Sequence, residues 1–570
     1  MISELIPAKD TASPRTFHIL VTEVLGDRAL SLLGTAPDVE LEAYDLLDPA
    51  KYHDRLAQAD AVIVRSAHGV RGGEFAIATK LRVAARAGTG IDNIDLEEAT
   101  HRGILVVNTP GANAVSAAEH TWGLLLTLMR RVRPADHHVR SGQWDRAAFI
   151  GEEARGRSLG IIGIGRVGRE VARFGRTFGM TVHAYDPYVP QEVFDALGVV
   201  RHETLEDLLP HAQVLTIHTP KTGPRLARAE FDRLPKGAYV LNVARGGLMD
   251  EEALSDLLES GHLAGVALDV FEHEPPDVNL RLLKRDDVLV TCHLGGSTLE
   301  AQERIGERIA QSVLDALRGN VPDDVANLPP AAPGTRAAHT VAAGSIAGRL
   351  LSATTPHMHR RLVVETGSHF PGESLPLAAR AVLAGVLTQA GEDGVNPVNA
   401  ILRAQERGLE LATLHDGESD PATSEREAVL RAFFVGDRDT AQPTGATGST
   451  ESLGGWDGVA LSLVGARPGG DGQIRLRQVF GATLNLDLNG RALLVTRHMD
   501  RPGVVGAVGT LLGQSGINIG ALELGRDLPG GAAVMALTMD SLPTEAVIHA
   551  CRELAGMERV VVLSLADGSN

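Results

Sequence analysis

Apolar residues fall in short runs that alternate with amphipathic stretches along most of the chain. Between Phe17 and Pro110 the runs HILVTEVL, DAVIVRSA, LRVAARAG and GILVVNTP are rich in aliphatic residues, and each closes on a turn or a polar residue. Near-continuous apolar strands separated by helical patterns predict a parallel α/β lobe. Ala112 to Gly142 has helical periodicity with little Gly or Pro before Pro134, and is predicted as one long helix leading into the turn Gly142-Gln143-Trp144. A second α/β set runs from 158 to 292 through SLGIIGIG, TVHAYDP, VLTIHTP, AYVLNVA, AGVALDV and VLVTCH. Leu299 to Leu317 is helical again and is expected to return to the first lobe, which otherwise lacks a partner for it. The expected division is therefore 17–111 with 293–325 as one discontinuous lobe, and 112–292 as the other.

Beyond Asn320 the text changes to VPDDVANLPPAAPGTR, a Pro-rich junction that opens an α+β region from 326 to 488. Within it, residues 416–455 are dense in Ser, Thr, Gly, Asp and Pro around one apolar island, AVLRAFFV, and most of that stretch is predicted as a mobile surface insertion. The last segment, 489–570, reads strand, helix, strand, strand, helix, strand: the βαββαβ, ferredoxin-like order. It has no evident nucleophile or acid–base pair, which suits a binding module.

Composition narrows the class. At 570 residues the chain has room for roughly three or four domains and needs no disulfide or metal staple. A formal charge of −18 argues against nucleic acid or an anionic membrane as the main partner, since both select basic surfaces. Two cysteines, Cys292 and Cys551, are too few for a disulfide framework or a thiolate zinc site and fit a reducing compartment. With no apolar run of about 18 residues and no signal-like start, no membrane partner and no metal are expected, and the cytoplasm is the expected location.

The candidate chemistry lies at strand ends. Gly163-Ile164-Gly165-Arg166-Val167-Gly168 fits G-x-G-x-x-G, a pattern expected roughly once by chance in a chain with 63 glycines, so context must decide. An apolar strand precedes it, a helical run follows, and Asp186 closes the next strand. In that setting Gly163 allows the tight turn, Gly165 the approach of a pyrophosphate and Gly168 close helix packing, while the helix N-terminus supplies N–H donors. Asp186 can accept from a ribose 2′-hydroxyl and repels a 2′-phosphate, favouring NAD over NADP. Arg245 in NVARGG, Glu274 in VFEHEPP and His293 in TCHLGGS each follow an apolar strand. Singly, such residues more often form structural ion pairs or satisfied core contacts; together they supply an anion clamp, an orienting carboxylate and a proton acceptor.

The strings RAGTGIDNIDL, VVNTPGANAVSAAEHTWGLLL, LGIIGIGRVGREVARFGRTFGM, YVLNVARGGLMDEEAL, GVALDVFEHEPP and HLGGSTLEAQERIG occur in one order, and on them the chain resembles the NAD-dependent D-2-hydroxyacid dehydrogenases. ALLVTRHMDRPGVVGAVGTLLGQSGINI is similar to the ACT regulatory domain found in long members of that family, and VNPVNAILRAQERGLEL faintly resembles their middle domain. The resemblance implies two Rossmann- and flavodoxin-like lobes and oxidation of 3-phospho-D-glycerate to 3-phosphohydroxypyruvate, the first step toward L-serine. It implies His293 as acid–base group, Glu274 as its orienting partner and Arg245 as the substrate clamp. Arg166, Val167, Asp186, Thr219, Val243, Ala244, Asp269 and the loop His293 to Gly296, Gly295 included, match NAD contacts, with Thr89 on the nicotinamide side. Arg65, Arg86 and Asn113 match positions that line the substrate. L-Serine is the implied effector, at His498, Asp500 and Asn518 around the first βα turn of the last module, and a homodimer or homotetramer is the implied assembly.

The chain departs from the family pattern at Cys292, where Pro is usual, at Gly296, where Ala is common, and at His68-Gly69 after Arg65-Ser66-Ala67. The residues alone leave two alternatives open: another D-2-hydroxy acid as substrate, or a non-catalytic NAD-sensing protein of the same fold.

Overall fold

The computed structural model describes residues 16–43, 49–65, 67–355, 360–367, 369–415, 428–435, 458–464, 473–526 and 531–565. Two compact units form, one from Met1–Val24, Leu30–Asn108 and Ile309–Asn570, the other from Leu25–Ala29 and Thr109–Arg308.

The first unit begins with β1 (Phe17–Val21), β2 (Val39–Ala43), β3 (Ala61–Val64), β4 (Val83–Arg86) and β5 (Leu105–Val107), an all-parallel sheet ordered β2-β1-β3-β4-β5. This is the doubly wound flavodoxin-like order. Leu20, Val62, Val64, Ala84 and Val106 bury one of its faces against Phe75, Tyr52 and Leu56. Past the helix Leu299–Leu317 the chain runs back along this sheet: Val107 bridges Val325, and Asn108 donates its N–H to the Asp324 carbonyl.

The second unit is built on β6 (Ser158–Ile162), β7 (Thr181–Tyr185), β8 (Val200–Arg201), β9 (Val214–Ile217), β10 (Ala238–Asn242), β11 (Leu263–Leu268) and β12 (Val288–Val290). All pairs are parallel, in the order β8-β7-β6-β9-β10-β11-β12. Successive residues feed opposite cores. Ile162, Leu215, Ile217, Val240 and Val266 pack on one side, and Leu159, Ile161, Val214, Leu241 and Ala267 on the other. Helices cover both faces, which is why these strands read as continuous apolar runs. The strand order reverses between β6 and β9, the place where such sheets bind ligands.

The predicted single helix from Ala112 to Gly142 is instead two, Ala114–Met129 and Val132–Arg140, with Arg131 between them at φ 51° in the left-handed region. Proline explains the break. In a continuous helix the Pro134 ring would collide with the carbonyl four residues back, at Arg130, whereas in the first turn of a new helix its missing N–H costs nothing.

Back in the first unit, β13 (Arg361–Thr366), β14 (Glu410–His415), β15 (Ala428–Val435), β16 (Val459–Val464), β17 (Gln473–Val479) and β18 (Ala482–Asp487) form a mixed sheet ordered β14-β13-β15-β16-β17-β18. The island AVLRAFFV, expected within a surface insertion, is β15 itself, paired antiparallel to β13 and β16 with Ala428, Val429, Leu430 and Ala432 buried. A short apolar run between polar stretches had a sheet to join. The rest of the predicted insertion, 416–427 and 436–455, lies outside the described residues.

The terminal strands β19 (Ala492–Met499), β20 (Ile519–Arg526), β21 (Ala532–Met539) and β22 (Met557–Ser564) form an antiparallel sheet ordered β20-β21-β19-β22. Ala492, Leu494, Met535 and Leu537 face the module's own helices, whose Val508 and Leu512 complete that core. Alternate residues Leu493, Val495, Val534, Ala536, Val561 and Leu563 belong to a different core, shared with Leu350, Leu351, Leu461 and Leu476 of the preceding α+β region. Both faces of the central strands β19 and β21 are thus buried. Among the described residues no helix is long and apolar enough to cross a membrane.

Candidate active site

The three residues expected to carry the chemistry follow neighbouring strands of the second unit. Asn242 of β10 pairs with Leu268 of β11, which pairs in turn with Val290 of β12, so the segments carrying Arg245, Glu274 and His293 all leave from the carboxyl edge of the same sheet. Asn242 fixes the first segment, its amide donating to the Arg245 carbonyl at 2.9 Å and accepting the Ala244 N–H at 3.0 Å. Gly246 is required there, because a Cβ at this position would run into the Phe271 backbone. Arg245 is half-buried, and one Nη donates to the Ala244 carbonyl.

His293 and Glu274 form a pair. Nδ1 lies 2.8 Å from Oε2 of Glu274, and Oε1 of that carboxylate accepts the Phe271 N–H at 3.2 Å. The network sets the tautomer, with Nδ1–H toward Glu274 and Nε2 left to accept a proton. His293 has φ 57°, a left-handed conformation rare for a non-glycine residue. Cys292 beside it is exposed.

The glycine-rich turn lies at the reversal of strand order. Gly163 has φ 94°, and a Cβ there would meet the His218 carbonyl 2.8 Å away and the Thr219 methyl at 2.9 Å. Gly168 touches the turn itself, its missing Cβ replaced by the Gly163 carbonyl, whereas Gly165 opens onto free space. The helix Arg166–Thr177 starts there with no side-chain cap, leaving its first N–H groups for an anion, and Val167 lies in that first turn. Asp186 directly follows β7 and accepts the Ile164 N–H at 2.9 Å and the Tyr188 N–H at 3.0 Å. Thr219 has a buried hydroxyl without a protein partner, and desolvation pushes the half-buried His218 imidazole down to about 3, holding it neutral. An open glycine cradle, uncapped N–H donors, a carboxylate at the next strand end and an orphaned hydroxyl together fit a dinucleotide.

Gly295 nestles against Val243, Ala117 and Asp269, and Gly296 against Asn113, whose amide nitrogen would lie 2.9 Å from an added Cβ. Alanine at 296 would therefore crowd Asn113. Burial pushes the Asp269 carboxyl up, but hydrogen bonds from His120, Thr291, Leu294 and Gly295 outweigh it and hold the group at about 2.

The other expected residues sit in the first unit. Arg86 ends β4 opposite Val64, the last residue of β3, Arg65 follows Val64, and Arg86 Nε donates to the Arg65 carbonyl at 3.2 Å. Glu23 accepts the N–H groups of Arg65, Ala67 and His68, and so shapes the segment in which the chain departs from the family pattern. Thr89 lies nearby in the chain, its carbonyl bound by the Asn108 amide. Sequence reasoning passed over Glu23 and His120. No local pattern marks either, since each acts on a segment at least 42 residues away.

In the terminal module His498 belongs to β19, is 2% exposed and contacts Thr496 Oγ1 at 3.1 Å. Asp500 pairs with Arg526 at 3.3 Å, and Asn518 donates to Asp540 at 2.8 Å. The helix Val504–Gln514 begins at Gly503, again without a side-chain cap.

Comparison with known proteins decides the family. The family model for the D-isomer specific 2-hydroxyacid dehydrogenase NAD-binding domain matches residues 122–295, and the ACT domain model matches 492–555. The chain is 34% identical to the D-3-phosphoglycerate dehydrogenase of Methanocaldococcus jannaschii over 96% of its own length and 99% of that protein's. The chain belongs to the D-3-phosphoglycerate dehydrogenase family of D-isomer specific 2-hydroxyacid dehydrogenases. It is also 33% identical to the Bacillus subtilis D-3-phosphoglycerate dehydrogenase, over 97% of this chain and 99% of that one. Among solved structures it is similar to the TT0316 protein of Thermus thermophilus, with a TM-score of 0.50 and 33% identity over 54% of this chain and 99% of that one. The open glycine turn and the uncapped helix are thus features of an NAD-binding dehydrogenase domain.

Proposed function

We propose that this dehydrogenase oxidises 3-phospho-D-glycerate to 3-phosphohydroxypyruvate, with NAD as cofactor, as the entry to L-serine. The observation that carries the reading is the His293–Glu274 pair, set beyond the same sheet edge as Arg245 in a chain whose full-length relatives are named for this activity. His293 Nε2 takes the C2 hydroxyl proton, Glu274 offers countercharge to the imidazolium, and the Arg245 guanidinium holds the substrate carboxylate. Gly163, Gly165, Gly168, Arg166, Val167, Asp186, Thr219, Val243, Ala244, Asp269, Gly295, Gly296 and Thr89 are assigned to the dinucleotide, which supplies the hydride acceptor when bound. Arg65, Arg86 and Asn113 are assigned to the substrate, the two cations to its phosphate.

On this reading, 17–111 with 293–325 form the substrate domain, 112–292 the NAD domain, 326–488 an intervening domain and 489–570 an ACT domain. L-Serine is the proposed effector at the turn from His498 to Gly503, with Asp500 taking its amino group and Asn518 bridging to its carboxylate near the uncapped helix. A homodimer or homotetramer in the cytoplasm completes the proposal. NADH consumption with phosphohydroxypyruvate, compared with hydroxypyruvate and pyruvate, tests it. Preference for an unphosphorylated oxo acid would reassign the substrate, and no turnover on the panel would favour an NAD sensor.

A further inference from the structure

Asp269, at the end of β11, is 1% exposed and organises the turn that carries His293. Its Oδ1 accepts from the Thr291 hydroxyl at 2.6 Å and the Leu294 N–H at 2.7 Å, its Oδ2 accepts the Gly295 N–H at 2.9 Å, and its carbonyl accepts the His293 N–H at 2.8 Å. One residue thus grips the chain before, at and after His293. That grip matters because His293 occupies left-handed backbone, which persists only where the surroundings over-determine it.

A second element closes the network from the opposite side. His120, on the helix Ala114–Met129, places Nε2 3.0 Å from Thr291 Oγ1 and 3.2 Å from Asp269 Oδ1. Thr291 has one hydroxyl proton and gives it to Asp269, so its oxygen faces His120 as an acceptor. A carboxylate and a hydroxyl lone pair together require His120 to carry its proton on Nε2, shared between them. The helix therefore pins Thr291 to Asp269, two residues before His293 in the chain.

We propose that His120 is a positioning residue for the dehydrogenase reaction, locking Thr291 onto Asp269 so that the 291–295 turn holds His293 against Glu274. The inference rests on His293 being the acid–base group. The role assigned to His120 is through Thr291 and Asp269, with no contact of its own with substrate or dinucleotide.

The full-length enzyme tests it through kinetics and NADH binding. His120→Ala should lower kcat about 10- to 100-fold, the range expected when a supporting hydrogen bond to a catalytic group is lost. KM for the oxo acid and the fluorescence-titrated Kd for NADH should stay within about threefold. His120→Gln, whose amide Nε2–H can reproduce the donor, should recover most of kcat, and Thr291→Val should repeat the loss without touching the helix. Wild-type kcat in both His120→Ala and Thr291→Val overturns the proposal. So does a Gln variant no better than Ala, or a loss shared equally by NADH binding. If His120→Ala does not fold, Thr291→Val decides alone. His293→Gln is the control. An active His293→Gln sinks the catalytic assignment, whereas an inactive His293→Gln beside fully active His120→Ala and Thr291→Val variants sinks only this one.

Discussion

His293 Nδ1 stands 2.8 Å from Glu274 Oε2, and the second oxygen of that carboxylate is tied to the Phe271 N–H. The imidazole is thereby oriented by a group that is itself oriented, with Nε2 left to exchange a proton. His293→Gln should lower turnover on the order of 10²- to 10⁴-fold while NADH affinity stays near wild type, because proton transfer alone is lost. Glu274→Gln should give a smaller kcat loss, since it keeps a hydrogen bond but removes the countercharge. Steady-state kinetics with an NADH titration check both, and wild-type turnover in His293→Gln would remove it from the mechanism.

Asp186 has two tasks in this fold. Its carboxylate holds the Ile164 and Tyr188 N–H groups and is also the proposed ribose partner. Asp186→Ala should weaken NAD binding and narrow the preference over NADP, since the repulsion of a 2′-phosphate disappears. Asp186→Ser, which can accept one of the N–H groups, should keep more NAD affinity than Ala. Equal affinities for both cofactors in wild type and variants would refute the ribose assignment.

Stability of the second unit should fall in mild acid. His183, His202 and His211 meet with ring centroids 5.1–5.2 Å apart, and His183 Nδ1 is 3.0 Å from His202 Nε2. Burial pushes His183 and His202 below 6.5, and the neighbouring rings push further, against an opposing pull on His202 from Asp207. Desolvation lowers His218 to about 3. A histidine with a lowered folded value contributes fully above its unfolded value of 6.5, and that contribution is lost as pH falls below it. Each such group adds at most about 1.4 kcal/mol per pH unit. Urea unfolding at several pH values between 7.5 and 5 should show this decline, and His202→Gln should flatten it. A flat wild-type profile would contradict the argument.

L-Serine, if it binds at the terminal module, has to displace contacts already present, Asp500 with Arg526 and Asn518 with Asp540. It should inhibit without competing with phosphoglycerate and bind the less active state more tightly. Asp500→Ala and Asn518→Ala should each raise the inhibitory concentration while sparing uninhibited turnover. Inhibition assays over a serine series decide this, and a wild type indifferent to millimolar serine would refute the site.

The sequence by itself determined every element whose cause is local. Strand runs, the glycine turn and the βαββαβ order were legible because side-chain period, turn chemistry and helix starts are written within a few residues of each other. Arg245, Glu274 and His293 could be singled out because each follows an apolar run. What only the tertiary structure decided depends on residues far apart in the chain. Pro134 hinted at a break but not that Arg131 would turn left-handed to make it. AVLRAFFV became a strand because β13 and β16 offered edges on both sides. The alternation of Leu493 and Val495 with Ala492 and Leu494 marked two apolar faces, but only folding supplied the cover for the second. His120 reads in sequence as one more polar position on a helix, and the sheet makes it a partner of Asp269, 149 residues on. Periodicity reports which face is apolar, whereas the partner of a face or of a buried polar group is set by chain topology, which brings distant segments together.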